Sequence, residues 1–151
     1  MSVEIRPATP ADVPLLLTLV EEYWKFEEID GFEPQRIGAV LRRALADERL
    51  GRAWIAHVGS APAGYLFIVF VFSIEHGGLT AEIDEFFVAP EHRGHAVGEQ
   101  LLAAAETACR AAGCTNIALQ LGRENESARR FYHRKGYSER QGYELLDKDL
   151  D

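Results

Sequence analysis

Three stretches of this 151-residue chain hold residue types at spacings that chemistry can use. Residues 93–99 read Arg93-Gly94-His95-Ala96-Val97-Gly98-Glu99 and lie between an apolar strand ending at Val88 and an amphipathic helix. A turn of that kind aims backbone N–H groups and a helix N-terminus at an anion, and its small residues allow close approach. Residues 82–85 place Glu82, Asp84 and Glu85 on a strand that is otherwise apolar, where carboxylates are costly to bury unless paired or functional. Strict alternation puts Glu82, Asp84, Phe86 and Val88 on one face and Ile83, Glu85 and Phe87 on the other. Residues 125–137 form a third stretch, with Asn125 suited to a helix N-cap, Phe131 and Tyr132 near the helix end, and Gly136 suited to stopping it. Taken alone, Phe131 and Tyr132 serve equally well as helix core.

The elements that must position these residues follow from apolar periodicity. Residues 3–6 predict a strand. Thr9-Pro10-Ala11-Asp12 is a capping box, followed by Val13, Leu16, Leu17, Val20 and Trp24 at helical spacing. A second helix starts at Pro34 and carries Ile37, Val40, Leu41, Ala44 and Leu45. Strands are predicted over 53–58 and 64–72, joined by a Gly59–Pro62 turn, and over 83–88. A long helix over 97–112 closes at Gly113, a strand covers 116–121, and a helix runs from Asn125 to Lys135. Two closing strands are expected near 137–140 and 143–148. The strand-helix-strand unit over 83–121 predicts a parallel pair with a right-handed crossover, and the flanking hairpins predict antiparallel pairs. The expected fold is α/β (α+β): one domain over 1–151, a mixed and mostly antiparallel sheet, and helices on both faces.

Composition sets limits. Hydrophobic residues make up 47% and charged residues 26%, ordinary for a globular domain. The net charge of −8 disfavours nucleic acid as a partner. The first residues lack the apolar segment of a secretory start, and the longest apolar run, 61–72, is too short for a membrane helix. Cys109 and Cys114 form no Cys-x-x-Cys pair, so reduced thiols, no metal and a cytoplasmic setting are expected. Residues 21–33 hold six acids against Lys25, and residues 123–135 hold five basic side chains against Glu124 and Glu126. These could attract a cation and an anion respectively, or be solvated helix faces. The turn is neither a Walker loop nor a dinucleotide fingerprint, because Gly-Lys-Ser/Thr and Gly-x-Gly-x-x-Gly are absent. His92, His95 and His133 read as scattered surface histidines, and no Ser/His/Asp or Cys/His nucleophile arrangement is legible.

The turn resembles the Arg/Gln-x-x-Gly-x-Gly/Ala acyl-CoA loop of the GNAT N-acetyltransferase superfamily, with Arg93, Ala96 and Gly98 on its positions. Ala96 departs from the usual glycine. Residues 125–137 resemble the superfamily's Asn-x-x-Ala-x-x-x-Tyr-x-x-x-Gly-Phe/Tyr segment through Asn125, Ala128, Tyr132, Gly136 and Tyr137. The element order is similar too, and it implies a central parallel pair of strands that splay apart. Locally, 83–88 and 21–28 resemble the polyamine and diamine acetyltransferase branch. The resemblance implies transfer of acetyl from acetyl-CoA to a primary amine of a small cationic acceptor by direct attack, without a metal.

Phe86, Phe87, Val88, the 93–99 turn, Asn125, Ala128 and Tyr132 would then hold the cosubstrate. Phe26, Glu27 and Asp84 would meet the acceptor. Asp84, or Glu82 or Glu85, would take the ammonium proton unless Asp84 and Glu85 instead pair with basic neighbours. The Val88 N–H would hold the oxyanion, and Tyr132 would protonate the thiolate. Homodimers are common in that superfamily. The alternatives are acetylation of a protein N-terminus or lysine, and a non-catalytic acyl-CoA-binding regulatory domain.

Overall fold

The computed structural model describes residues 2–150. The elements in chain order are β1 (Val3–Pro7), α1 (Val13–Phe26), α2 (Pro34–Leu45), β2 (Gly51–Val58), β3 (Ala61–Ser73), β4 (Gly78–Val88), α3 (Val97–Ala111), β5 (Ile117–Leu119) and α4 (Glu126–Arg134). Short 3₁₀ turns at Pro10–Asp12 and Pro90–His92 lead toward α1 and α3. The first is fixed by Asp12, whose carboxylate accepts two bonds from Arg6 and the Thr9 N–H. Arg6 holds that carboxyl down at about 2.

The sheet order is β1-β2-β3-β4-β5. The first four strands pair antiparallel, and β4 pairs with β5 in parallel, as the crossover predicts. Val13, Leu16, Leu19 and Val20 of α1 and Ile37 and Leu41 of α2 pack with Ala53, Ile55, Tyr65, Phe67 and Phe87 on one face of the sheet. The opposite strand positions, Leu66 and Ile68, are fully buried, and so are Leu101, Leu102 and Ala105 of α3, which packs across β1 to β4. This is the mixed α/β sheet with helices on both faces expected from the periodicity.

The chain divides into two compact units, one ending at Leu119 and the other beginning at Gln120. Two expectations are corrected. The strand predicted over 116–121 is only Ile117–Leu119, and neither closing strand forms over 137–140 or 143–148. A two-stranded ribbon is marginal in water without a sheet to join. Here the chain after α4 is held by other contacts: Glu139 bonds Arg129 and His133, and Gly142 turns at φ 83°.

Candidate active site

The carboxylate strand does not follow strict alternation. Phe67 of β3 pairs with Glu85 and Ile68 with Ile83, so Asp84 is the extra residue of a β-bulge. Cross-strand partners share a face. Glu82, opposite the core-packed Val69, therefore lies on the α1/α2 face with Glu85 and Phe87. Ile83, opposite Ile68, lies on the α3 face with Phe86. This corrects the expectation that grouped Ile83 with Glu85 and Glu82 with Phe86. One inserted residue returns an acid to a face that pleating alone would deny it.

Glu85 sits beneath α1. Its Oε2 accepts the Trp24 indole N–H at 2.8 Å and its Oε1 accepts the Tyr65 hydroxyl at 2.8 Å. Burial raises its pKa, those two donors oppose the rise, and the neighbouring Asp84 charge adds to it. Asp84 reaches solvent, yet burial of its carboxyl also raises its pKa. No ion pair among the described residues involves either acid; neutral donors hold Glu85 instead of basic neighbours. The Tyr23 hydroxyl is pushed up to about 12, first by burial and then by the charges of Glu27, Glu85 and Asp84. Those three acids thus act on one point. The Tyr23 ring packs on Phe87 (5.6 Å) and edge-on to Tyr65 (6.3 Å).

Beyond Ile83, β4 has no strand partner on its β5 side among the described residues. Pairing with β5 ends at Ile83 and Leu119. Ala89 N–H donates to Ala63 O at 2.8 Å, so Phe87 and Ala89 direct their backbone groups at β3 while Phe86 and Val88 direct theirs away. The Val88 carbonyl is met on that side by Arg93 Nε at 3.0 Å, and the Val88 N–H points to the same edge. Gly64, opposite Val88, is required by close approach: a side chain there would collide with the Phe87 carbonyl oxygen.

Beyond Arg93 the turn places Gly94 and Ala96 in the left-handed region, at φ 84° and 62°. Ala96 is the N-cap of α3, whose first N–H groups lack intrahelical partners as at any helix start. Arg93 also stacks its guanidinium on Phe26, 4.6 Å from the ring centroid. Phe26 in turn lies 6.2 Å from Phe87. The first unit therefore brings together Phe26, Glu27, Asp84, Glu85, Phe87 and the start of the 93–99 turn. Phe87 is buried in this aromatic cluster at 3% exposure. Gly94, His95, Ala96 and Glu99 are exposed, Gly98 is half-buried, and Val97 is in the core.

In the second unit, Asn125 Oδ1 accepts the Ala128 N–H at 3.2 Å, the N-cap expected of it. Tyr132 is nearly buried, its ring between Phe131 (5.3 Å) and Tyr137 (5.4 Å). The helix ends in a Schellman motif: Tyr137 N–H reaches Tyr132 O and Gly136 N–H reaches His133 O. His133 also bonds Glu139 at 2.7 Å and, with Arg129, holds that carboxyl down at about 2.

Periodicity did not reveal Trp24, Tyr65 and Tyr23 as part of the carboxylate site. Each has a core signature, an aromatic at helical or strand spacing. The signal available was the polar tip on each ring, which when buried needs a partner.

Residues 16–137 match the model of the acetyltransferase (GNAT) family. The aminoalkylphosphonate N-acetyltransferase of Salmonella typhimurium is 32% identical over 136 residues, covering 90% of this chain and 85% of that one. Among solved structures, an integron cassette protein from the mobile metagenome of Cole Harbour Salt Marsh superposes with TM-score 0.85 at 29% identity, over 97% of this chain and 90% of that one. A predicted acetyltransferase from Clostridium acetobutylicum, solved with acetyl-CoA, shares the fold with TM-score 0.81 at 18% identity, over 97% and 96%. The chain belongs to the acetyltransferase (GNAT) family. Its chemistry is that of an N-acetyltransferase.

Proposed function

We propose that the protein transfers acetyl from acetyl-CoA to the primary amine of a small cationic acceptor by direct attack. The observation that carries this reading is the bulge that sets Asp84 beside Glu85, with both acids raised in pKa and Glu85 clamped by Trp24 and Tyr65. An ammonium must lose a proton before its nitrogen can attack. A carboxylate whose pKa lies above the usual range is the better matched base. Glu85 has an indole and a phenol on its two oxygens, which suits it to hold and orient a cation. Asp84, exposed beside it, takes the proton.

Acetyl-CoA supplies the activated thioester. The residues of the turn fit its phosphates: Gly94 and Ala96 adopt left-handed backbone, and the α3 N-terminus follows with Val97, Gly98 and Glu99. The Val88 N–H, aimed away from β3, is assigned to the oxyanion. Tyr132 is assigned to the departing thiolate. With thiol and phenol pKa values of about 8.5 and 10, that transfer is close to balance. Phe86 and Ala128 are assigned to the cosubstrate arm, along with Asn125 beyond its cap. A cationic acceptor is supported by the six acids over residues 21–33, of which Glu21 alone forms an ion pair among the described residues, with Lys25 at 4.0 Å.

The test is turnover with acetyl-CoA across cationic polyamines, neutral amines, aminoalkylphosphonates and peptide N-termini. The reading expects amine-dependent thiol release and acetylated product, fastest for cationic amines and falling as salt rises. Acetylation of peptides alone would replace it with the protein-acetyltransferase reading. Acetyl-CoA binding without turnover on any amine would replace it with a regulatory domain.

A further inference from the structure

The C-terminus of α3 joins two cysteines by a backbone hydrogen bond, at the opposite end of that helix from the 93–99 turn. Gly113 (φ 87°) donates to Arg110 O at 3.0 Å, and Cys114 N–H donates to Cys109 O at 2.9 Å. This is the same Schellman register that stacks Tyr132 on Tyr137, and it sets the side chains at its two ends against each other. At α3 those side chains are thiols, and the neighbouring Cys114 thiol adds to burial in holding Cys109 in its protonated form. Cys109 is 4% exposed, whereas Cys114 is half-buried and reachable. Arg52 of β2 completes the group. Its charge acts on Cys109 in favour of the thiolate, against the opposing charge of Glu106. Its Nε is buried without a hydrogen-bond partner among the described residues, and its guanidinium stacks 5.5 Å from the Phe70 centroid.

We propose that Cys109 and Cys114 form a disulfide-exchange site that low-molecular-weight disulfides convert to an internal Cys109–Cys114 disulfide. The backbone bond between the two residues holds them in the short range that a disulfide spans. The roles divide by burial. The Cys109 thiol is pushed up to about 12, chiefly by burial, so it stays protonated at neutral pH, and Cys114 makes the first attack. The Cys114 thiolate attacks one sulfur of the disulfide RSSR, forming a mixed disulfide and expelling one thiolate. Cys109 then gives up its proton, with Arg52 favouring the resulting charge, and attacks the Cys114 sulfur to expel the second thiolate. Two cysteines are oxidised, one RSSR is reduced to two RSH, and the protons released go to the thiolates.

The experiment treats the native protein with oxidised glutathione, quenches by acid and alkylation, and maps the products by mass. Wild type is expected to lose two hydrogens, to carry the Cys109–Cys114 cross-link with no lasting glutathione adduct, and to revert with dithiothreitol. C109S should accumulate a stable glutathione adduct on Cys114. C114S should react about tenfold slower or less readily still, because its remaining thiol is buried. Should either variant fail to fold, wild type with phenylarsine oxide gives the same answer. One arsenical should bridge and protect both thiols. A persistent adduct on wild-type Cys114, cross-links between chains, or no mutual protection by the arsenical would overturn the proposal.

Discussion

The Trp24 indole N–H donates to Glu85 Oε2 at 2.8 Å across 61 residues of sequence. It ties the last turns of α1, next to Phe26 and Glu27, to the bulged part of β4. The helix end and the strand acids are thereby one unit, and the charge of Glu85 depends on a neutral donor from the helix.

Trp24→Phe keeps the aromatic packing against Phe32 (5.8 Å) and deletes only that donor. The bond favours the charged form of Glu85, so its loss raises the carboxyl pKa further and leaves less Glu85 ionised at a given pH. The acid limb of kcat/KM for a cationic amine should move to higher pH. KM should rise by about tenfold to a hundredfold, in line with hydrogen bonds to charged groups at roughly 1.5–3 kcal/mol. Steady-state profiles of both proteins check this, with melting temperature as the control for packing.

Ala96→Gly should stabilise the protein. Ala96 holds φ 62°, which costs an L-residue roughly 1–2 kcal/mol, part of which glycine gives back through the unfolded chain. A net gain of about 0.5–1 kcal/mol is expected. Ala96→Val should be destabilising, because a β-branched residue fits that region worst. Chemical denaturation of the three proteins measures the order.

Tyr132→Phe preserves the ring contacts with Phe131 and Tyr137. If the hydroxyl protonates the thiolate, kcat should fall by roughly tenfold to a hundredfold, the low end of general acid catalysis. Cosubstrate affinity and melting temperature should hold. Full activity in the variant would make Tyr132 a packing residue only.

Much of this was legible in the chain. The apolar periods of α1, α2 and α3 and the strand-helix-strand crossover into β5 are local patterns, and they predicted the helices and the parallel β4–β5 pair. The Asn125 cap and the Gly136 stop were readable for the same reason. The bulge at Asp84 was not, because register is fixed by β3, and period-two reading assumes no inserted residue. The clamp on Glu85 was not legible either, since Trp24 and Tyr65 look like core until their polar tips meet the acid. The closing strands were over-read: Tyr143, Leu145 and Leu146 have strand character, yet strand propensity without an adjacent ladder does not fix a strand.

The most direct measurement is the pH–rate profile of Asp84→Asn against wild type with a cationic amine and acetyl-CoA. Asp84 must be ionised to act, and burial raises its pKa, so the wild-type rate should climb as pH passes through that raised value. The variant should lose roughly 10²–10⁴-fold near neutral pH, the span of general base catalysis. The deficit should shrink at alkaline pH, where the free amine is already present. An equal loss at every pH, or no loss at all, would contradict Asp84 as the group that takes the proton.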